Sequence, residues 1–324
     1  MKRSLLFLCA ALPLFSQQAV IRLDAALDKI VPAGAKVEKV ASDLRFSEGP
    51  VWIGKGGYLL FSDLPANAIM KWSPTGGVSV YRKDIFSGPH PDGVQIGSNG
   101  LTLDRQGRVI AAEHGNRRIS RFEKDGRVTV LADRFEGKRL NSPNDIVAKR
   151  NGDVYFTDPT GLYRTYPDGP DKPKPELGFN GVYRITSAGK LDLLTKDVAY
   201  PNGIAFSPDE KKLYVSNSRP EKFWMVFDVK SDGTIENGRK FYDASNEPGE
   251  AVPDGMKVDS AGNLYTTGPG GILIVSPEGK HLGTIQLPEI GANCAWGGAD
   301  TKSLYITART GLYRIKLSIT GIKP

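Results

Sequence analysis

Six recurrences of one strand-pair pattern, an absence of sustained helical periodicity and a final unit one strand short together predict an all-β chain, folded as a six-bladed β-propeller with four-stranded blades. Each recurrence begins with an oxygen-bearing residue, usually followed by a small one. An apolar alternating strand, a polar turn and a second apolar strand come next. The starts are Glu48, Asn99, Asn144, Asn202, Asp254 and Asn293, separated by 51, 45, 58, 52 and 39 residues. A unit of roughly 40–50 residues that carries four short strands is a propeller blade. Apolar spacing of helical period is nowhere kept up over the ~11 residues that a helix assignment requires.

The strand pairs run, in order, 48–52 with 58–63, 99–103 with 109–113, 144–148 with 154–158, 202–206 with 213–217, 254–258 with 264–267 and 293–296 with 304–307. Turn chemistry separates them: Gln106-Gly107, Asn151-Gly152, Pro208-Asp209-Glu210 and Ala261-Gly262. Third strands follow at 118–122, 181–185, 225–228 and 271–275, and fourth strands such as 128–132 complete the units. The last unit offers three strands, with 312–317 as the third. Residues 36–41, ahead of the first blade, are expected to supply its fourth, which closes the ring and removes an exposed edge. Two insertions interrupt the pattern, at 84–98 and at 166–180. Loops of this length are either lids or tolerated surface excursions.

At the start, Lys2 and Arg3 precede an apolar run from Leu5 to Phe15 and a small residue, Ser16. That is the pattern of a cleaved export leader, and the run is about half of the roughly 20 residues that a membrane span needs. The expected organisation is a leader at 1–16, a lead-in at 17–35 and a single propeller domain at 36–324, exported to a periplasm or secreted, with no stable membrane anchor. Past the leader only Cys294 remains, so no internal disulfide is expected and packing must carry the fold. Without Lys2 and Arg3 the basic residues number 41 against 36 acidic ones, and they are scattered. No basic stripe with interleaved aromatics exists to bind nucleic acid, and nothing implies a protein partner. No G-x-S-x-G elbow and no glycine-rich phosphate loop opening a helix is present, which disfavours serine hydrolysis and nucleotide binding.

Residues at the same place in six blades face one another around the channel. Here all six positions, Glu48, Asn99, Asn144, Asn202, Asp254 and Asn293, bring a carboxylate or amide oxygen. Two carboxylates cancel the charge of a divalent cation, and amide oxygens complete the hard, flexible shell that Ca²⁺ prefers. Softer metals want Cys or His, and His90, His114 and His281 stand at none of these starts. Asn-Gly and Asp-Gly pairs also mark tight turns; six oxygen-bearing residues in register with a blade repeat favour the cation.

Phe46-Ser47-Glu48-Gly49-Pro50-Val51-Trp52, Leu140-Asn141-Ser142-Pro143-Asn144-Asp145, Tyr200-Pro201-Asn202-Gly203 and Pro253-Asp254-Gly255-Met256 resemble the signatures of the senescence-marker-protein, gluconolactonase and luciferin-regenerating-enzyme family. Ser98-Asn99-Gly100-Leu101 with Glu113-His114-Gly115-Asn116-Arg117-Arg118 resembles its bacterial gluconolactonase-like branch, and the likeness runs from about Phe46 to Leu317. The resemblance implies one divalent cation, Ca²⁺ first with Zn²⁺, Mn²⁺ or Mg²⁺ as alternatives, held by Glu48, Asn144, Asn202 and Asp254. It implies hydrolysis of a sugar lactone or similar small ester, with the cation as Lewis acid or holder of the attacking water and Asp254 as general base. Asn99 and Asn293 would then sit nearer substrate. His114 is a candidate for orienting substrate, Asn141 for orienting the ligand loop and substrate, and Asp145 for a supporting role. Arg117 and Arg118 are either ligands of a sugar acid or an ordinary surface pair. The rival readings are a phosphotriesterase-like hydrolase on the same ligands, and a non-catalytic binding propeller with a structural metal.

Overall fold

The computed structural model describes residues 20–170 and 172–323; the expected leader and residues 17–19 lie outside them. The described chain is a six-bladed propeller, and its blades follow the six repeats. In the first blade Ser47–Ile53 is innermost, followed outward by Tyr58–Asp63, Ala68–Ser73 and Gly77–Lys83. The inner strands of the second to sixth blades are Ser98–Leu103, Ile146–Ala148, Pro201–Phe206, Met256–Val258 and Asn293–Gly297. Each inner strand touches the next around the axis, and the sixth touches the first. All pairings within the blades are antiparallel.

Alternation explains the layering. Inner and second strands are buried on both faces, between blades, so they read as nearly continuous apolar runs such as Leu59, Leu60 and Phe61, all fully buried. The outermost strand of the first blade, Gly77–Lys83, is largely exposed. The hydrophobic core is correspondingly a set of wedges between neighbouring blades: Val51, Leu60, Leu101 and Ala111 fill the first gap, and Tyr155, Ile204 and Val215 the third. Cys294 is buried in the wedge that joins the fifth and sixth blades.

Closure occurs as expected. Glu38–Ala41 pairs with Gly311–Lys316, with Glu38 opposite Arg314, and supplies the fourth strand of the sixth blade. The lead-in does more than its sequence announces. Val20–Arg22 adds a fifth strand to the fifth blade, pairing with His281–Gln286, and a short 3₁₀ turn at Ala25–Lys29 buries Leu27 completely in the same wedge. Asp24 caps that turn by accepting from the Ala26 N–H at 2.8 Å. No helix among the described residues is long and apolar enough to cross a membrane.

Candidate metal centre and active site

Three devices bring the repeat-start residues to the channel. The first is close approach of backbones. A Cβ on Gly203 would lie 2.2 Å from the Asp254 carbonyl oxygen, and one on Gly255 would lie 1.9 Å from the Asn293 side chain. Gly203 lies inside its inner strand and Gly255 immediately ahead of its own, and in each the missing side chain lets the next blade move in. The second device is a hydroxyl near the end of the second strand in the first, third and fourth blades. Ser62 donates to the Asn99 carbonyl at 2.7 Å, Thr157 to Asn202 at 2.6 Å and Ser216 to Asp254 at 3.0 Å, each reaching the ring residue of the following blade. The third is the oxygen that comes after that hydroxyl. Asp63 accepts from the N–H groups of Arg45 and Phe46, Asp158 from Asn141 and Ser142, and Asn217 from Tyr200. These bonds hold the loops just ahead of Glu48, Asn144 and Asn202. Burial pushes Asp158 up to about 7, against the pull of the two N–H groups and Arg117.

Glu48, Asn99, Asn144, Asn202 and Asp254 share the floor of one cavity of about 310 Å³ with His114 in its wall. Glu48 is 2% exposed and accepts from the Gly49 N–H at 2.7 Å. Burial and the nearby Asp145 carboxylate push it up to about 7, opposed by the Gly49 N–H, the Asn293 amide and the Lys257 charge. Asp254 is likewise raised well above the usual carboxylate range, by burial and then by Glu48 and Asp145, with Arg219 pulling the other way. Asp145 itself occupies the place that glycine takes in neighbouring repeats. It is buried and accepts from Ile146 N–H at 2.9 Å and Ile204 N–H at 3.4 Å, tying the third blade to the fourth. Three acids therefore press on one another at the centre of the ring.

The buried Oδ1 atoms of Asn99, Asn202 and Asp254 have no hydrogen-bond partner among the described residues, and all three residues line this cavity. Asn202 shows why its oxygen faces inward: its Nδ2 donates to Ser218 Oγ at 3.0 Å. Buried oxygens without donors, beside mutually repelling carboxylates, are the chemistry of a hard-cation site. The residues present fit a divalent cation, and the expected holders Glu48, Asn144, Asn202 and Asp254 all line this one cavity. Among the described residues no group of three or more His, Cys, Asp and Glu could hold a metal, in keeping with a set that is half amide.

His114 is 2% exposed, and its Nδ1 faces the Pro143 carbonyl at 3.3 Å. A carbonyl only accepts, so Nδ1 carries the proton and Nε2 is a bare acceptor. Burial lowers the imidazole to about 4, so it is neutral at physiological pH. Nε2 is buried without a partner. A side chain on Gly161 would start 3.1 Å from it and 3.4 Å from the Tyr200 hydroxyl, so this glycine keeps the space between the two open.

The first insertion and the short helix Leu162–Thr165, just ahead of the second, contribute to this mouth. Val94 and Ile96 from the first pack on Leu162 and Tyr166, and Gln95, Arg164 and Thr165 line the cavity. The guanidinium groups of Arg164 and Arg219 lie 5.9 and 6.0 Å from the Tyr200 ring centre. Tyr200, Gly161, Arg164 and Arg219 had no role in the sequence reading. Tyr200 alone had a signal, its place two residues ahead of Asn202.

Not every candidate reaches the cavity. Asn141 is fully buried, and its Nδ2 donates to the carbonyls of Asp158 and Phe179, so it braces the loop ahead of Asn144. Asn293 is 1% exposed and lies beside Glu48, its Oδ1 accepting from Cys294 N–H at 2.8 Å and 3.4 Å from Lys257 Nζ. Arg117 and Arg118 turn away from the site. Arg117 bonds the Leu140 carbonyl at 2.6 Å and pairs with Glu176, while Arg118 pairs with Glu113, so neither is a free surface charge nor a substrate ligand here.

A family model described as the SMP-30/Gluconolactonase/LRE-like region matches residues 46–310. The chain is 39% identical over 313 residues to a gluconolactonase of Zymomonas mobilis, covering 93% of this chain and 85% of that protein. It is 27% identical over 282 residues to a pentonolactonase of Haloferax volcanii, covering 84% of each. The crystal structure of a gluconolactonase from Xanthomonas campestris superposes with a TM-score of 0.81 at 32% identity, covering 92% of this chain and 94% of that one.

Proposed function

Because the chain belongs to the SMP-30/gluconolactonase/LRE-like family, we propose that it is a divalent-cation-dependent lactonase that opens the ring of a small sugar lactone. The observation that carries this reading is the set of unpartnered inward oxygens on Asn99, Asn202 and Asp254 beside Glu48, at the floor of a cavity sized for a monosaccharide. The similarity to a gluconolactonase and a pentonolactonase supports the substrate class. The oxygen-only donor set supports Ca²⁺ ahead of Zn²⁺ or Mn²⁺. The leader pattern at Lys2–Ser16 supports action outside the cytoplasm.

Glu48, Asn144, Asn202 and Asp254 would hold the cation, which when bound supplies positive charge to the lactone carbonyl oxygen as it becomes an oxyanion. Asp254 takes one proton from the attacking water. The bond between the carbonyl carbon and the ring oxygen breaks, the proton passes to the departing oxygen, and the product is the hydroxy acid. His114, fixed as a neutral acceptor, takes a hydrogen bond from a ring hydroxyl, and the Tyr200 hydroxyl faces the same space. The walls contributed by Gln95 and by Arg164 and Thr165 limit bulk water around the reacting carbonyl.

Protein stripped with a chelator and assayed on glucono-δ-lactone should be inactive and regain turnover on addition of Ca²⁺. Full turnover without any cation, or turnover of a phosphotriester in preference to every aldonolactone, would overturn the reading.

A further inference from the structure

The channel has a second mouth, and nothing in the proposed reaction uses it. On the face opposite the acid ring, the far halves of the inner strands enclose a cavity of about 440 Å³. This lies within the ~300–1,000 Å³ usual for small-molecule sites. Val51, Leu101, Ile146, Phe206, Val258 and Trp296 give it apolar walls. Its charged lining leans positive: Arg105, Lys149, Arg150, Lys257 and Lys323 stand against Asp104 and Glu210. Lys257 lines the cavity and donates to the Met256 carbonyl at 2.8 Å and towards Asn293 Oδ1 at 3.4 Å, with no carboxylate in ion-pair range among the described residues. An ammonium has three protons, so one donor direction stays unused. Trp296, 2% exposed in the same wall, has an indole N–H without an acceptor among the described residues. At the rim Arg105 has no acidic partner among the described residues, Lys149 and Arg150 share Glu210, and Asp104 is taken by Arg108 at 2.7 Å.

We propose that this cavity binds a small amphipathic carboxylate, its head group on Lys257 and its tail along the apolar wall. An apolar pocket with a free ammonium direction and an unspent indole N–H, under a rim with surplus positive charge, selects an anion with a hydrophobic body. A polar sugar would leave its hydroxyls facing valine and leucine, and a cation would meet Lys257.

Two of the four tryptophans, Trp52 and Trp296, line this cavity, so occupancy is readable in intrinsic fluorescence. The full chain would be titrated with octanoate and, separately, with octanol, which has the tail without the charge. Saturable binding of octanoate, roughly tenfold or more tighter than octanol, is expected from a charge-assisted hydrogen bond. Lys257→Met should bring the two ligands to equal affinity. Ala148→Phe, which fills the cavity from a half-buried wall position away from Lys257, should weaken both. No saturable change with octanoate, equal affinity for octanol in the unaltered protein, or octanoate binding that survives Ala148→Phe undiminished would each overturn the proposal. Because the readout is fluorescence, it stands or falls separately from lactone hydrolysis.

Discussion

Replacing Glu48 with glutamine should make the cation-free protein more stable while destroying its response to Ca²⁺. Glu48 is raised from an ordinary 4.5 to about 7 in the fold, by burial first and Asp145 second. A carboxylate raised in this direction keeps its proton in the fold at pH values where the unfolded chain has lost it. Stability therefore falls as pH rises from about 4.5 to about 7, and the penalty is complete above that window. At about 1.4 kcal/mol per pH unit, it is on the order of 3 kcal/mol. Glutamine keeps the shape and can still accept from the Gly49 N–H, but carries no charge. Urea denaturation in a chelator at pH 8 should show Glu48→Gln more stable by up to about 3 kcal/mol, and at pH 4.5 the two proteins should match. Saturating Ca²⁺, at ~1,000 times its Kd, should add about 4 kcal/mol to the unaltered protein and far less to the variant. A variant less stable than the parent in chelator at pH 8 would refute the reasoning, because it would mean that Glu48 is held by protein partners and not left waiting for a cation.

Asp254→Asn should still fold but lose at least ~100-fold in kcat, the usual cost of removing a general base. His114→Phe should lower kcat/KM for an aldonolactone by roughly tenfold or more and leave Ca²⁺ affinity, measured calorimetrically, unchanged; because the imidazole is lowered to about 4, the pH–rate profile should show no His114 step between pH 5 and 8. Ser218→Ala frees the Asn202 amide to rotate its oxygen out of the ring, so Ca²⁺ should bind several-fold more weakly in the same titration. Gly255→Ala drives a methyl group into the Asn293 side chain and should cost about 1–3 kcal/mol in denaturant melts.

The blades were legible because a channel-lining position has to recur once per repeat, so Glu48, Asn99, Asn144, Asn202, Asp254 and Asn293 stand out by register even where their neighbours differ. The closing strand was legible for a related reason: a final sheet with three strands leaves an edge that the ring must fill. What the glycines do was not. Asn-Gly reads as a turn, and only the position of the next blade shows that Gly203, inside its strand, and Gly255, just ahead of its own, are cleared for contact. Val20–Arg22 is too short to show an alternating period, so its place as a fifth strand rests on the edge it finds in the fifth blade. Loop direction was the largest gap. Spacing alone does not say that Asn141 and Arg117 turn into the protein to brace a loop while Arg164 and Tyr200 turn to the cavity, because those orientations are set by Asp158, Leu140 and the packing of the first insertion on the short helix Leu162–Thr165.

The account rests on acids and amides from four separate blades sharing one ion. Anomalous scattering from a crystal soaked in Mn²⁺ tests this directly. One strong peak is predicted at the cavity floor, about 2.1–2.6 Å from side-chain oxygens of Glu48, Asn144, Asn202 and Asp254. A cavity floor without a peak, or a peak bound by other residues, would contradict it.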